Sequence, residues 1–290
     1  MNNKAIIKLA RERFHACLVR NGVLSVDKEG VPSNSDSGNR PSCAIGALVA
    51  KMIGAKVSKK LPAQTAGTLF EEAVCQFIEN TFPRLKHLRP GKWNVFSLGN
   101  NNAVKTSSFA QYEHLSYLLK LANANRQLAT MLGNDYMVAP DIVVSRDLCE
   151  DREINASACF VDGSVGLRAD IRKSNGGLPI MHASVSAKWT MRSDRAQNSR
   201  TEALGLIRNR KGHLPHIVVV TGEPLPSRLA SLATGTGDID CVYHFALYEL
   251  IEAVAKYGKA GREDLIEQLN ALVDGKRLKD ISDLPLDLTC

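Results

Sequence analysis

Met181-His182-Ala183-Ser184-Val185-Ser186-Ala187-Lys188-Trp189, followed at once by Thr190-Met191-Arg192-Ser193-Asp194-Arg195, is the stretch from which the rest of the chain is read. Within it His182 to Trp189 is predicted as a strand: His182, Ser184, Ser186 and Lys188 share one face, and Ala183, Val185 and Ala187 the other. Upstream, Pro140-Asp141 stands in a second apolar run, Met137 to Ser145, where an ionised carboxylate is costly unless it is paired or holds a cation. If the two strands adjoin, the Asp141 carboxylate and the Lys188 ammonium meet at one point. A Mg²⁺ held there by Asp141 and backbone or carboxylate oxygens lowers the pKa of a bound water, which Lys188 orients or deprotonates. A structural salt bridge between Asp141 and Lys188 is the other reading of the same pair.

Past the strand the chain turns charged and then amphipathic. Ser193 or Asp194 can cap a helix over Ser193 to Asn209, whose Ala196, Ala203, Leu204 and Ile207 are apolar. Helix starts suit phosphates and grooves. Arginine pairs bidentately with guanine O6 and N7 and aspartate accepts from cytosine N4, so Arg192, Asp194 and Arg195 point to a G·C-rich target. The plain alternative is a solvated helix start with surface ion pairs. Glu202 lies two turns beyond Arg195 on nearly the same face, aimed back towards the metal position. On a helix predicted over Thr68 to Asn80, Glu71 borders the apolar stripe, whereas Glu72 neighbours Gln76 and Glu79 on the wet side. Glu71 is therefore the better site candidate, although each glutamate taken singly also reads as an ordinary surface residue.

The remaining chain frames that joint. With 290 residues, 44% hydrophobic and 23% charged, it has the composition of one globular domain with a sizeable core, not of a disordered chain or a coiled coil. A net charge of +7 suits a polyanionic partner if the excess is clustered, and a basic globular protein otherwise. Seven scattered cysteines without a C-x-x-C pair suggest neither zinc nor a redox site. No apolar run approaches the roughly 18 residues of a membrane span, and Lys4, Lys8, Arg11, Glu12 and Arg13 fit no secretory segment, so a cytoplasmic protein is expected. Further helices are predicted over Lys4 to Arg20, Cys43 to Met52, Tyr248 to Tyr257 and Glu263 to Val273, with two more within Ser107 to Leu132. The composition of Lys28 to Ser42 predicts a mobile loop. Strands are predicted over Ala158 to Val161, His216 to Thr221 and Cys241 to Leu247. The order implies an α/β fold, a central mixed sheet flanked by helices.

The run Ser184 to Asn198 also resembles the central block of NgoMIV-type type II restriction endonucleases, a branch of the Pro-Asp…Asp/Glu-x-Lys nuclease superfamily. Similarity continues through Arg208 to Gly212, His216 to Thr221, Cys241 to Leu250 and Gly275 to Leu286, covers nearly the whole chain, and is strongest over residues 182 to 290. The resemblance implies a restriction-endonuclease-like core in a single domain, 1–290. It implies an active site of Glu71, Asp141, Ser186, Lys188 and Glu202, in which serine replaces the acidic residue usual before x-Lys and the following helix supplies the missing carboxylate. Two Mg²⁺ would be held by Asp141 and the main-chain carbonyl of Ala187, with Glu71 and Glu202 nearby. Arg192, Asp194 and Arg195 match readers of an inner CCGG, Asp36 and Arg228 resemble readers of the outer G·C pair, and Gln64 resembles a minor-groove contact.

The implied activity is hydrolysis of double-stranded DNA at the palindrome GCCGGC after its first G, leaving 5′-phosphate ends with 5′ overhangs. The implied assembly is a homotetramer, two dimers back to back, and a cognate DNA methyltransferase belongs to the same restriction system. Around Asp36 the order Ser33-Asn34-Ser35-Asp36-Ser37-Gly38 departs from the family pattern. On this reading the Lys28 to Ser42 loop wraps DNA and orders on binding, and Glu263 to Val273 with the tail supplies oligomer contacts. Two other functions stay open. A structure-specific nuclease such as a junction resolvase shares the Asp and Lys chemistry but needs no base readers. A sequence-specific DNA-binding protein with a decayed nuclease site needs only the readers, and the intact Asp141, Lys188, Glu71 and Glu202 argue against it.

Overall fold

Near-continuous apolar runs such as His216–Thr221 are buried on both faces only if they lie inside a sheet covered by helices. The computed structural model, which describes residues 4–99, 105–125, 127, 130, 140–191, 193–235, 237–259 and 261–290, has this arrangement. A small parallel pair, β1 (Ser25–Val26) and β2 (Lys56–Val57), lies ahead of the main sheet. Among the described residues the main sheet holds six strands in chain order: β3 (Trp93–Ser97), β4 (Ile142–Arg146), β5 (Ile180–Lys188), β6 (His216–Thr221), β7 (Cys241–His244) and β8 (Leu278–Asp280). The first three run antiparallel, whereas β5 to β8 are parallel. Parallel neighbours need crossovers. These are supplied by α6 (Ser193–Asn209), α7 (Pro226–Ala233), and the pair α8 (Leu247–Gly258) and α9 (Glu263–Asp274).

The N-terminal half is helical, with α1 (Ile6–Arg20), α2 (Arg40–Ile53), α3 (Ala63–Glu79) and α4 (His114–Ala124); short helices α5 (Asp151–Ile154) and α10 (Leu284–Asp287) lie further on. α2 starts where Asn39 accepts a hydrogen bond from the Ser42 amide at 2.9 Å with Pro41 in the first turn. α3 buries Phe70, Ala73, Val74, Phe77 and Ile78 against β3, β5 and α1, the Phe77 ring lying 5.7 Å from Phe14. This packing fixes the neighbouring face of α3, which carries Glu71, beside the ends of β3 and β5.

Two expectations change, and two more fall partly outside the described residues. Ala158 to Val161 forms no strand, because the Asn155 side chain accepts the Phe160 and Val161 amides at 2.8 and 3.0 Å that a strand would offer a neighbour. The Lys28 to Ser42 segment is not a free loop through its middle: Ser33, Asn34 and Ser35 are buried, and Ser35 seats on α2 where a Cβ at Gly46 would collide with its hydroxyl. Its polar side chains satisfy backbone groups, Ser33 Oγ donating to Val23 O at 2.5 Å and Ser35 Oγ to Ser42 O at 3.0 Å. Of the two helices expected within Ser107 to Leu132, the first is α4, preceded by a 3-10 turn at Ala110–Tyr112; most of the second, Leu128 and Leu132 included, lies outside the described residues. The Met137 to Ser145 strand is found as Ile142–Arg146, with 131–139 outside the described residues. β3 and β8 were not foreseen. Among the described residues no helix is long and apolar enough to cross a membrane, and all seven cysteines are free thiols.

Candidate active site

The antiparallel register of β4 on β5 pairs Ile142 with Val185, and one step further sets Asp141 opposite Ser186. Asp141 Oδ2 accepts from the Ala187 amide and from Lys188 Nζ, each at 2.8 Å, and from Ser186 Oγ at 3.3 Å. The Ser186 hydroxyl also lies 3.4 Å from Glu202 Oε2 on α6, and its single hydrogen serves one carboxylate at a time. On α3, Glu71 accepts from Ser97 Oγ at the end of β3. Side chains from the start of β4, from β5, α3 and α6 thus converge on one cleft of about 280 Å³, which Gln64, Arg195 and Asn198 also line.

Charge in this cleft is unbalanced. Burial pulls the Lys188 pKa down, but Asp141, Glu202 and Glu71 together outweigh it and hold the ammonium above its usual range. Burial pushes the Glu202 carboxyl up, Asp141 adds to the rise, and Lys188 opposes it. Glu71 is raised in the same way, by burial first and by Asp141. Even with Arg195 on its wall, two cationic side chains against three carboxylates leave excess negative charge in an oxygen-only donor set, which suits a hard divalent cation. Among the described residues no three His, Cys, Asp or Glu side chains already close around a metal position. Asp141 is held by Lys188, Glu202 faces Ser186 and Glu71 faces Ser97, so a cation would replace these hydrogen-bond donors.

Arg195, in the first turn of α6, donates to Thr190 Oγ1 at 2.6 Å and to Thr190 O at 3.3 Å. It lines both this cleft and a second of about 140 Å³, where Asp36, Lys60 and Arg228 also lie. In the second cleft Arg228, on α7, is ion-paired with Asp36, so the two outer-pair candidates are each other's partner. Gln64 is exposed in the first turn of α3. Arg192 lies outside the described residues, and Asp194 stands on α6 with its side chain outside the description.

His182 shares the polar face of β5 with Lys188 but stays out of the site. Six residues of strand put roughly 20 Å between them. Its Nε2 hydrogen-bonds Leu288 O at 2.7 Å, its ring stacks on Phe82, and burial takes its pKa down to about 4. Sequence reasoning missed Asn198, one turn from both Arg195 and Glu202, although helical spacing marks it. It also missed Glu223, a carboxylate just past the apolar run of β6, for which the argument applied to Asp141 would have served.

The sequence model of the NgoMIV restriction enzyme family matches residues 14–290. The chain is similar to the type II restriction enzyme NgoMIV of Neisseria gonorrhoeae, at 49% identity over 279 residues, 96% of each chain. All the residues placed above fall within the matched range.

Proposed function

We propose, since the chain belongs to the NgoMIV restriction enzyme family and is a type II site-specific deoxyribonuclease, that it hydrolyses double-stranded DNA at GCCGGC after the first G, with Mg²⁺ as cofactor, leaving 5′-phosphate ends and 5′ overhangs. The observation that carries this reading is the Asp141 carboxylate bonded to Lys188, Ser186 and the Ala187 amide in a cleft shared with Glu71, Glu202 and Arg195. Asp141 and the Ala187 carbonyl would hold Mg²⁺, with Glu71 and Glu202 nearby and two ions per site. When bound, Mg²⁺ supplies positive charge for the phosphate under attack. Lys188, held as an ammonium by its carboxylate neighbours, orients the attacking water and offsets developing charge. Ser186 keeps Asp141 and Glu202 at hydrogen-bonding distance from one hydroxyl.

Base reading falls to the adjoining cleft. Arg195, with Arg192 and Asp194, reads the inner CCGG. The Arg228 and Asp36 pair presents one donor fork and one acceptor, the complement of the groove edge of a G·C pair, for which the two side chains would exchange each other. Gln64 contacts the minor groove. We read residues 1–290 as one domain acting in the cytoplasm as a homotetramer, whose two-fold symmetry matches the palindrome. Its host sites would be protected by a cognate methyltransferase. For the contact between copies, Phe160, Val165 and Leu167 in the β4–β5 connection are exposed, whereas the Leu265, Leu269 and Leu272 stripe of α9 is buried within the chain.

The test is a plasmid carrying GCCGGC, incubated with the protein and Mg²⁺, with the product ends sequenced. Cleavage after the first G of each site is expected, and an intact supercoiled plasmid would end the reading. Cutting of branched DNA whatever its sequence would favour the resolvase alternative. A sequence-specific mobility shift without cleavage in Mg²⁺ would mark a decayed site.

A further inference from the structure

Glu223 is a buried carboxylate that the chemistry above leaves unused. It has no solvent exposure, yet both its oxygens are engaged: Oε2 accepts the Met191 amide at 3.0 Å and Oε1 the Leu225 amide at 3.2 Å. Arg228 Nη1 lies 3.7 Å from Oε2. The two residues before it are tied into the same junction. Thr221 Oγ1 donates to Lys188 O at 2.8 Å and accepts the Glu223 amide at 3.2 Å, while Gly222 O accepts from Asn34 Nδ2 at 2.7 Å. A Cβ at Gly222 would come within 2.5 Å of the Trp189 ring, so the backbone can approach β5 this closely only as glycine. Residues 221–223 therefore join the end of β5, the residue ahead of Arg192, the Asn34–Asp36 segment and the start of α7.

The chemistry of the side chain is specific. A buried carboxylate is costly, and two backbone N–H groups plus a guanidinium call for acceptors on both oxygens, which an amide side chain cannot supply. We propose that Glu223 is a specificity-positioning residue: it fixes Met191, and through it the start of α6 with Arg195, at a set spacing from Arg228 and Asp36, so that inner and outer base pairs are read in one register. This rests on the base-reading roles given under Proposed function. It adds a residue that never touches DNA yet sets how well the outer pair is discriminated.

The experiment compares the wild-type protein with Glu223→Gln on duplexes carrying GCCGGC and on duplexes changed only at the outer pair, recording kcat and KM for each in Mg²⁺. The Gln variant is expected to lose about tenfold of the wild-type preference for the intact site while its rate on that site changes less. A purely structural defect would lower both rates alike and leave the ratio. If the wild-type enzyme has a site preference and the Gln variant keeps it, this inference alone fails; if the wild-type enzyme has none, the base-reading roles fail and take it with them. Should Glu223→Gln not fold, Glu223→Asp, which keeps the charge with a shorter reach, is read by the same ratio. Failure of both to fold would assign Glu223 to stability and overturn the proposal.

Discussion

The cleft around Asp141 and the cleft around Arg228 share a wall of Ala63, Trp189 and Arg195, but they hold charge in opposite ways. In the first, one lysine faces three carboxylates, and burial and mutual repulsion leave Glu71 and Glu202 above the usual carboxylate range. In the second, Arg228 sits between Asp36 and Glu223, and opposite charges meet as partners. On the proposed function the first cleft gains a cation and the second exchanges partners already in place. Chemistry and base selection on these adjacent surfaces should respond differently to the same kind of substitution.

The largest effect expected from this contrast lies in the first cleft. Lys188→Ala should lower plasmid cleavage by about 10²–10⁴-fold while Ca²⁺-supported binding to the same DNA persists, since the substitution removes a group acting on the reaction and leaves the reading cleft intact. Cleavage at the wild-type rate would remove Lys188 from the chemistry. A smaller effect, confined to selection, is expected from Arg195→Ala, which should cost about 1–3 kcal/mol of discrimination between the site and its inner-pair variants, measured by competition binding. Because Arg195 lines both clefts, a fall in cleavage rate without loss of discrimination would place it with the chemistry instead.

The smallest effect concerns stability. Burial pushes the Glu223 carboxyl from 4.5 up to about 7, so the folded protein takes up this proton more readily than the unfolded chain. The stability linked to that proton is full below about 4.5 and is lost as pH rises through about 7. The melting temperature should therefore fall by a few degrees between pH 5.5 and 8, with a shallower slope in Glu223→Gln. Equal slopes in the two proteins would show that the charge on Glu223 does not tax the fold.

Local pattern determined much of this protein. The helix Ser193–Asn209 and the strand His216–Thr221 have the bounds expected from sequence, because a helical stripe of apolar residues and an unbroken apolar run are each properties of a few consecutive residues. Asp141 and Glu71 were legible as candidates for a related reason, each being an ionisable group set in or beside an apolar run, whereas Lys188 was picked out by the polar face of its strand and Glu202 by its seven-residue spacing from Arg195. Which partner each finds is a long-range matter. Asp36 meets Arg228 across 192 positions, and the Asn34 amide meets Gly222 O across 188. The Asn34 contact turned an expected mobile loop into a packed wall, and no periodicity within Lys28 to Ser42 announces it. The one-step extension of the β4–β5 register that puts Asp141 opposite Ser186 was likewise open in the sequence, since strand spacing is the same whichever residues are paired, and only the sheet chose between them.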